Sequence, residues 1–163
     1  MGATRALPPG ILRRILVPVD FSESARPVLD YARDLARDRG AEILLLHVVG
    51  IPVAPFDPAY GVAADPKMLL EMRASAEKGL KELAEQAEPS RKVAIHTRVL
   101  TGSPSREIVR EARDGKADLV IVGTHGRTGL RHVFLGSVAE NVVRLAPCPV
   151  LTLRLKGFAI EKV

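Results

Sequence analysis

Apolar residues fall along the chain in two alternating rhythms. Short continuous runs read as strands, and between them apolar positions recur three and four apart, as on one face of a helix. The first run, ILRRILVPV (11–19), is apolar and β-branched and ends at Asp20. Ser22 or Ser24 then supplies an N-cap, with Pro27 early in the helix, where its missing N–H costs least. Val28, Leu29, Ala32, Leu35 and Ala36 share one face of that helix, and Gly40 ends it. The second run, AEILLLHVV (41–49), is unbroken, as expected of a strand covered on both faces. Residues 50–65 carry three prolines and no periodicity, which predicts a long loop, of a length usually functional or mobile. Asp65-Pro66 then gives an N-cap and a first-turn proline. Leu69, Met72, Ala76, Leu80, Leu83 and Ala87 form one helical stripe before Pro89.

The remaining pattern is shorter. KVAIHTRVL (92–100) alternates as a third strand, and Gly102-Ser103-Pro104 opens a helix carrying Ile108, Val109 and Ala112 to Gly115. ADLVIVG (117–123) is the fourth strand, 137–146 the fourth helix and 149–155 the fifth strand. The order β-α-β-α-β-α-β-α-β, with right-handed crossovers, predicts a single-domain open parallel sheet with helices on both faces. Residues 1–10 (MGATRALPPG) read as a flexible arm, 11–156 as the domain and 157–163 as a tail.

Composition narrows this picture. The 163 residues are 47% hydrophobic and 26% charged, enough for one aliphatic core, since aromatics make up only 4%. The net charge of +5 attracts anions in general. Arg26, Arg33, Arg37 and Arg39 are interleaved with Asp30, Asp34 and Asp38, however, the pattern of a solvated helix face rather than a nucleic-acid stripe. Cys148 is the one cysteine, so neither an internal disulfide nor a cysteine cluster can form. It reads as a small buried apolar residue and fits a cytoplasmic protein. Arg13 and Arg14 precede only ILVPV, too short for a secretory signal, and no apolar run is long enough to span a membrane.

The chemistry concentrates behind the fourth strand, in GTHGRTGLRHVFLGS (123–137). Glycine lacks a β-carbon, so its backbone N–H groups can turn inward and touch phosphate oxygens. Gly136-Ser137 adds a helix N-terminus, which favours an anion. Ser137 and Glu140 have capping-box spacing, and the serine hydroxyl can reach a phosphate as well. Asp20, at the end of the first strand, lies at the same sheet edge, where it can meet a ligand directly or through Mg²⁺. The alternative is that these glycines only make turns. Neither GxxxxGK[ST] nor GxGxxG is present. His47 reads as a hydrogen-bonded core histidine and His96 as a surface one. His125 and His132 have no carboxylate partners at metal-ligand spacing. No nucleophile elbow occurs, so no catalytic residue is assigned.

The spacing Gly123-x2-Gly126-x9-Gly136-Ser137 resembles the signature of the universal stress protein family, in its nucleotide-binding branch. VPVDFSE (17–23), LLHVV (45–49), TGSPSREIV and ADLVIVGTHGR extend the resemblance over about residues 13–155. The resemblance implies strand order 3-2-1-4-5, a homodimer through the last strand, and bound ATP with Mg²⁺. It implies that Pro18 and Val19 line the adenine pocket and that Val48 meets the adenine edge through its backbone. Asp20 would lie near ribose and metal-bound phosphates. Gly123, Gly126, Gly136, Ser137 and Val138 would hold ribose and phosphates, with His125 and Arg127 in the loop. The expected function is a stress-response or regulatory protein whose nucleotide state alters its surface for a protein partner. The alternatives are a slow Mg²⁺-dependent ATP hydrolase and a dimeric scaffold with a vestigial pocket.

Overall fold

A computed structural model describes residues 12–50, 65–88, 92–124 and 135–154. The arm, most of the 50–65 loop and the tail lie outside these residues. Nine elements follow the expected order: β1 (Arg14–Pro18), α1 (Ala25–Arg39), β2 (Glu42–Val49), α2 (Pro66–Ala87), β3 (Ile95–Thr101), α3 (Pro104–Asp114), β4 (Leu119–Gly123), α4 (Ser137–Leu145) and β5 (Val150–Leu153). Every strand pair is parallel and the sheet order is β3-β2-β1-β4-β5.

The strand alternation divides the core. Ile15, Val17, Ile43, Leu45 and Ile121 point to one face, where they pack against Val28, Leu29 and Ala32 of α1 and Leu80 of α2. Leu16, Leu46, Val48 and Val120 point to the other, against Ile108 and Ala112 of α3 and Val142 of α4. Fully burying one such aliphatic side chain stabilises the fold by about 1.5–3 kcal/mol, so both layers contribute substantially.

Local chemistry sets the element ends. Asp65 accepts a hydrogen bond from the Lys67 amide at 2.9 Å and Pro66 opens α2, as expected. Gly40 caps α1 in the left-handed conformation. At the lower edge, Asp118 accepts from the Arg13 and Arg14 amides at 2.9 and 3.0 Å, which ties β4 to the start of β1. The strands are shorter than the apolar runs. β1 begins at Arg14 and β3 at Ile95, and the residue before each, Arg13 and Ala94, still accepts one bond from β2, from the Glu42 and Ile43 amides at 2.8 Å. Cys148 packs half-buried against the α3–α4 layer, where burial pushes its thiol pKa up.

Candidate functional site

From β1 the chain winds outward through β2 to β3, then returns to place β4 on the other side of β1. The connections therefore diverge between β1 and β4, and a crevice opens beyond the carboxyl ends of these strands. A cavity of about 400 Å³ occupies it, lined by the ends of β1, β2 and β4 and by the start of α4.

The β1 side is organised by a tight exit from the strand. The Val19 amide donates to the Leu46 carbonyl at 2.8 Å, one step past the last paired residues, Pro18 and Leu46. The Val19 carbonyl is bonded to Nδ1 of His47 at 2.8 Å. Leu46 and Glu42 bond toward β1, so alternation along β2 also directs the backbone of Val48 to that side, where β1 has ended. Asp20 follows, with Oδ1 accepting from the Ser22 amide at 3.0 Å, and the Ser22 and Ser24 hydroxyls are 2.8 Å apart. Ser24 is the N-cap residue of α1.

On the β4 side, Gly123 is a point of close approach. A β-carbon there would lie 3.2 Å from Ser24 Oγ and 3.4 Å from Val28 Cγ2, so the missing side chain lets α1 pack against the strand end. The Thr124 amide donates to the Leu153 carbonyl at 3.0 Å, and the Gly136 amide donates to the Thr124 carbonyl at 2.9 Å. The two stems of the glycine loop are thereby joined.

Gly136, not Ser137, is the N-cap of α4, and its carbonyl accepts from the Glu140 amide at 2.9 Å. Ser137 is the first residue inside the helix, so the Ser137–Glu140 capping box does not form. Gly136 holds the cap position because its backbone is extended (φ −66°, ψ 151°) while its carbonyl already accepts the first helical bond, and its amide is satisfied outside the helix by the Thr124 carbonyl. The amides of Ser137, Val138 and Ala139, the first three helical residues, have no partner within the helix and carry the positive end of its dipole.

Pro18, Val19, Asp20, Val48, Gly123, Gly136, Ser137 and Val138 all line this cavity. His125, Gly126 and Arg127 lie outside the described residues. Sequence reasoning missed Ser24, His47, Thr124, Met72 and Ile108, which also line it. Ser24 could have been found as a helix start close behind Asp20. Met72 and Ile108 carry no local signal, because α2 and α3 reach the cavity only through the tertiary arrangement. Among the described residues no group of three or more His, Cys, Asp or Glu side chains could hold a metal ion. A single carboxylate such as Asp20 suits Mg²⁺ that arrives with phosphate oxygens and keeps several waters. No helix among the described residues is long and apolar enough to cross a membrane.

Residues 12–154 match the model of the Universal stress protein family. The chain is 35% identical over 150 residues to universal stress protein MJ0531 of Methanocaldococcus jannaschii, covering 88% of this chain and 83% of that one. Its fold is similar to that of the universal stress protein UspA from Lactobacillus plantarum, with TM-score 0.75, 29% identity, and 88% and 98% of the two chains covered. The fold is also shared, at TM-score 0.55 and 24% identity, with the universal stress protein from Archaeoglobus fulgidus solved in complex with dAMP, covering 87% and 98%.

Proposed function

The chain belongs to the universal stress protein family, and on that premise we propose that it is an ATP-binding regulatory protein of the nucleotide-binding branch, acting in the stress response in the cytoplasm. The observation that carries this reading is the single cavity at the switch point of the sheet. It joins an apolar wall, a carboxylate and the start of a helix. Pro18, Val19 and Val48 form an apolar slot for adenine, and the Val48 backbone recognises its edge. The amides of Ser137, Val138 and Ala139 take the phosphates, since a helix N-terminus favours an anion. Gly123 and Gly136 leave room beside the ribose and phosphates, and Asp20 binds Mg²⁺ carried by them. Gly126, His125 and Arg127 continue the phosphate loop between stems already joined through Thr124 and Gly136. The family relative solved with dAMP supports an adenine nucleotide as the ligand class.

The outer edge of β5, whose four residues are all half-buried, is the dimer contact in this reading. Nucleotide occupancy then alters the surface offered to a protein partner. Mass spectrometry of the small molecules released from the purified protein tests the ligand. Stoichiometric ATP, ADP or AMP is the expected result. Protein released free of adenylates, which then takes up none at millimolar concentration, refutes the proposal. Sustained phosphate release on adding MgATP identifies the slow hydrolase instead.

A further inference from the structure

Phe21 adopts a backbone conformation that its residue type avoids. Its φ is 59°, in the left-handed region that glycine, asparagine and aspartate enter far more readily. Such a conformation persists only where the surroundings over-determine it. Here three contacts do so. The Phe21 ring packs on the His47 ring, with centroids 4.5 Å apart and planes inclined by 41°. His47 in turn holds the Val19 carbonyl through Nδ1 at 2.8 Å, two residues upstream. Beneath the ring lies Gly79, in the middle of α2, where a β-carbon would lie 3.0 Å from Cε1 and 3.2 Å from Cζ. Glycine is, after proline, the least favourable residue inside a helix. Its presence at this contact has a packing reason: it is the seat of the Phe21 ring.

The geometry points to Phe21, His47 and Gly79 as positioning residues that hold the Asp20 carboxylate toward the ligand. Asp20 and Ser22 flank Phe21, and the bond from the Ser22 amide to Asp20 Oδ1, 3.0 Å long, closes a turn over the left-handed residue. If the Phe21 ring lifts from its seat, that turn opens and the carboxylate loses its fixed direction. None of the three side chains needs to touch the nucleotide for this. The inference rests on the reading of the cavity as an adenine-nucleotide site with Mg²⁺ near Asp20.

Gly79→Val tests it, because the substitution lies on α2, outside the proposed binding machinery, and valine is compatible with a helix. Two quantities are read: the solvent-exchange rate of the Ser22 amide by NMR without ligand, and the gain in ATP affinity on adding Mg²⁺ by calorimetry. The expected result is a several-fold faster Ser22 exchange and a loss of most of the Mg²⁺-dependent gain, with metal-free binding changed less than threefold. Gly79→Ala gives a smaller effect of the same sign and serves if the valine variant fails to fold. Phe21→Leu alone, which removes the ring from both His47 and its seat on Gly79, should move both readings in the same direction. Unchanged Ser22 exchange, or an unchanged Mg²⁺-dependent gain in a folded variant, overturns the inference. If the unmodified protein binds no adenylate, the proposed function fails on that ground, and Ser22 exchange alone decides whether Gly79 supports the turn.

Discussion

Gly123→Ala separates two roles that this glycine could have, because its surroundings allow the cost to be worked out. Its φ is not positive, so alanine meets no backbone strain there. The added methyl meets Ser24 Oγ at 3.2 Å, Val28 Cγ2 at 3.4 Å and Ser24 Cβ at 3.6 Å. Ser24 Oγ is held at 2.8 Å by the Ser22 hydroxyl, so it cannot swing away without losing that bond. Val28 is 1% exposed, so any shift of its side chain disturbs the packing of α1 on the sheet. Overpacking of this kind costs about 1–3 kcal/mol. The restricted unfolded chain returns about 0.4–1 kcal/mol. The net is a loss of roughly 0.5–2 kcal/mol, with a melting temperature lower by about 2–4 °C per kcal/mol at this chain length. Urea unfolding at fixed protein concentration should show a lower midpoint with unchanged slope. A variant as stable as the parent, or more so, refutes the assignment of Gly123 to packing between β4 and α1.

Three further outcomes follow from the same structure. Asp20→Asn keeps an oxygen acceptor for the Ser22 amide but loses the charge, so the fold should survive. The Mg²⁺-dependent part of ATP affinity should fall by about 10- to 100-fold, the usual size of a charged hydrogen-bonded contact, as read by calorimetry with and without metal. Leu153 and Pro149 turn their carbonyls to β4, so alternation points the backbone of Thr152 outward from the sheet edge. Thr152→Pro should therefore convert the proposed dimer to monomer in sedimentation while leaving the β4–β5 ladder in place. The hydrogen bond from Arg33 holds the Asp34 carboxyl below the usual carboxylate range. A depressed folded pKa contributes stability that is present above the unfolded value near pH 4 and is lost as pH falls through the folded value. Asp34→Asn should slightly flatten acid denaturation below about pH 4, and only slightly, because 58% of the side chain is exposed and screened.

The hydrophobic rhythm made all nine elements legible, because each strand segment is either a largely apolar run or alternates, and each helix shows one apolar face. The strand order was a different matter. Nothing in the alternation of ILVPV or LVIVG says which strands are neighbours, and order 3-2-1-4-5 came from the resemblance of the motifs. Asp65-Pro66 specified its helix start clearly, since aspartate is a strong N-cap and proline, lacking an N–H, is favoured at the first helical position directly after it. Gly136-Ser137 did not, because either residue can cap. The backbone is extended at Gly136 and already helical at Ser137, which no side-chain signal distinguishes in advance. The site was legible along the strands and loop that carry motifs. Its walls from α2 and α3, at Met72 and Ile108, were not, because long-range packing brings them there. The partnership of Phe21, His47 and Gly79 was hidden for the same reason: 58 residues separate Phe21 from Gly79 along the chain.

In the proposed function, the first amides of α4 and the Asp20 carboxylate together hold a nucleoside polyphosphate. Calorimetric titration of nucleotide-free protein with ATP, first in chelator and then in Mg²⁺, tests it most directly. The expected result is saturable binding of one ATP per chain, tighter with Mg²⁺, and weaker for adenosine than for ATP in both conditions. Equal affinity for adenosine and ATP, or no heat from either, would contradict it.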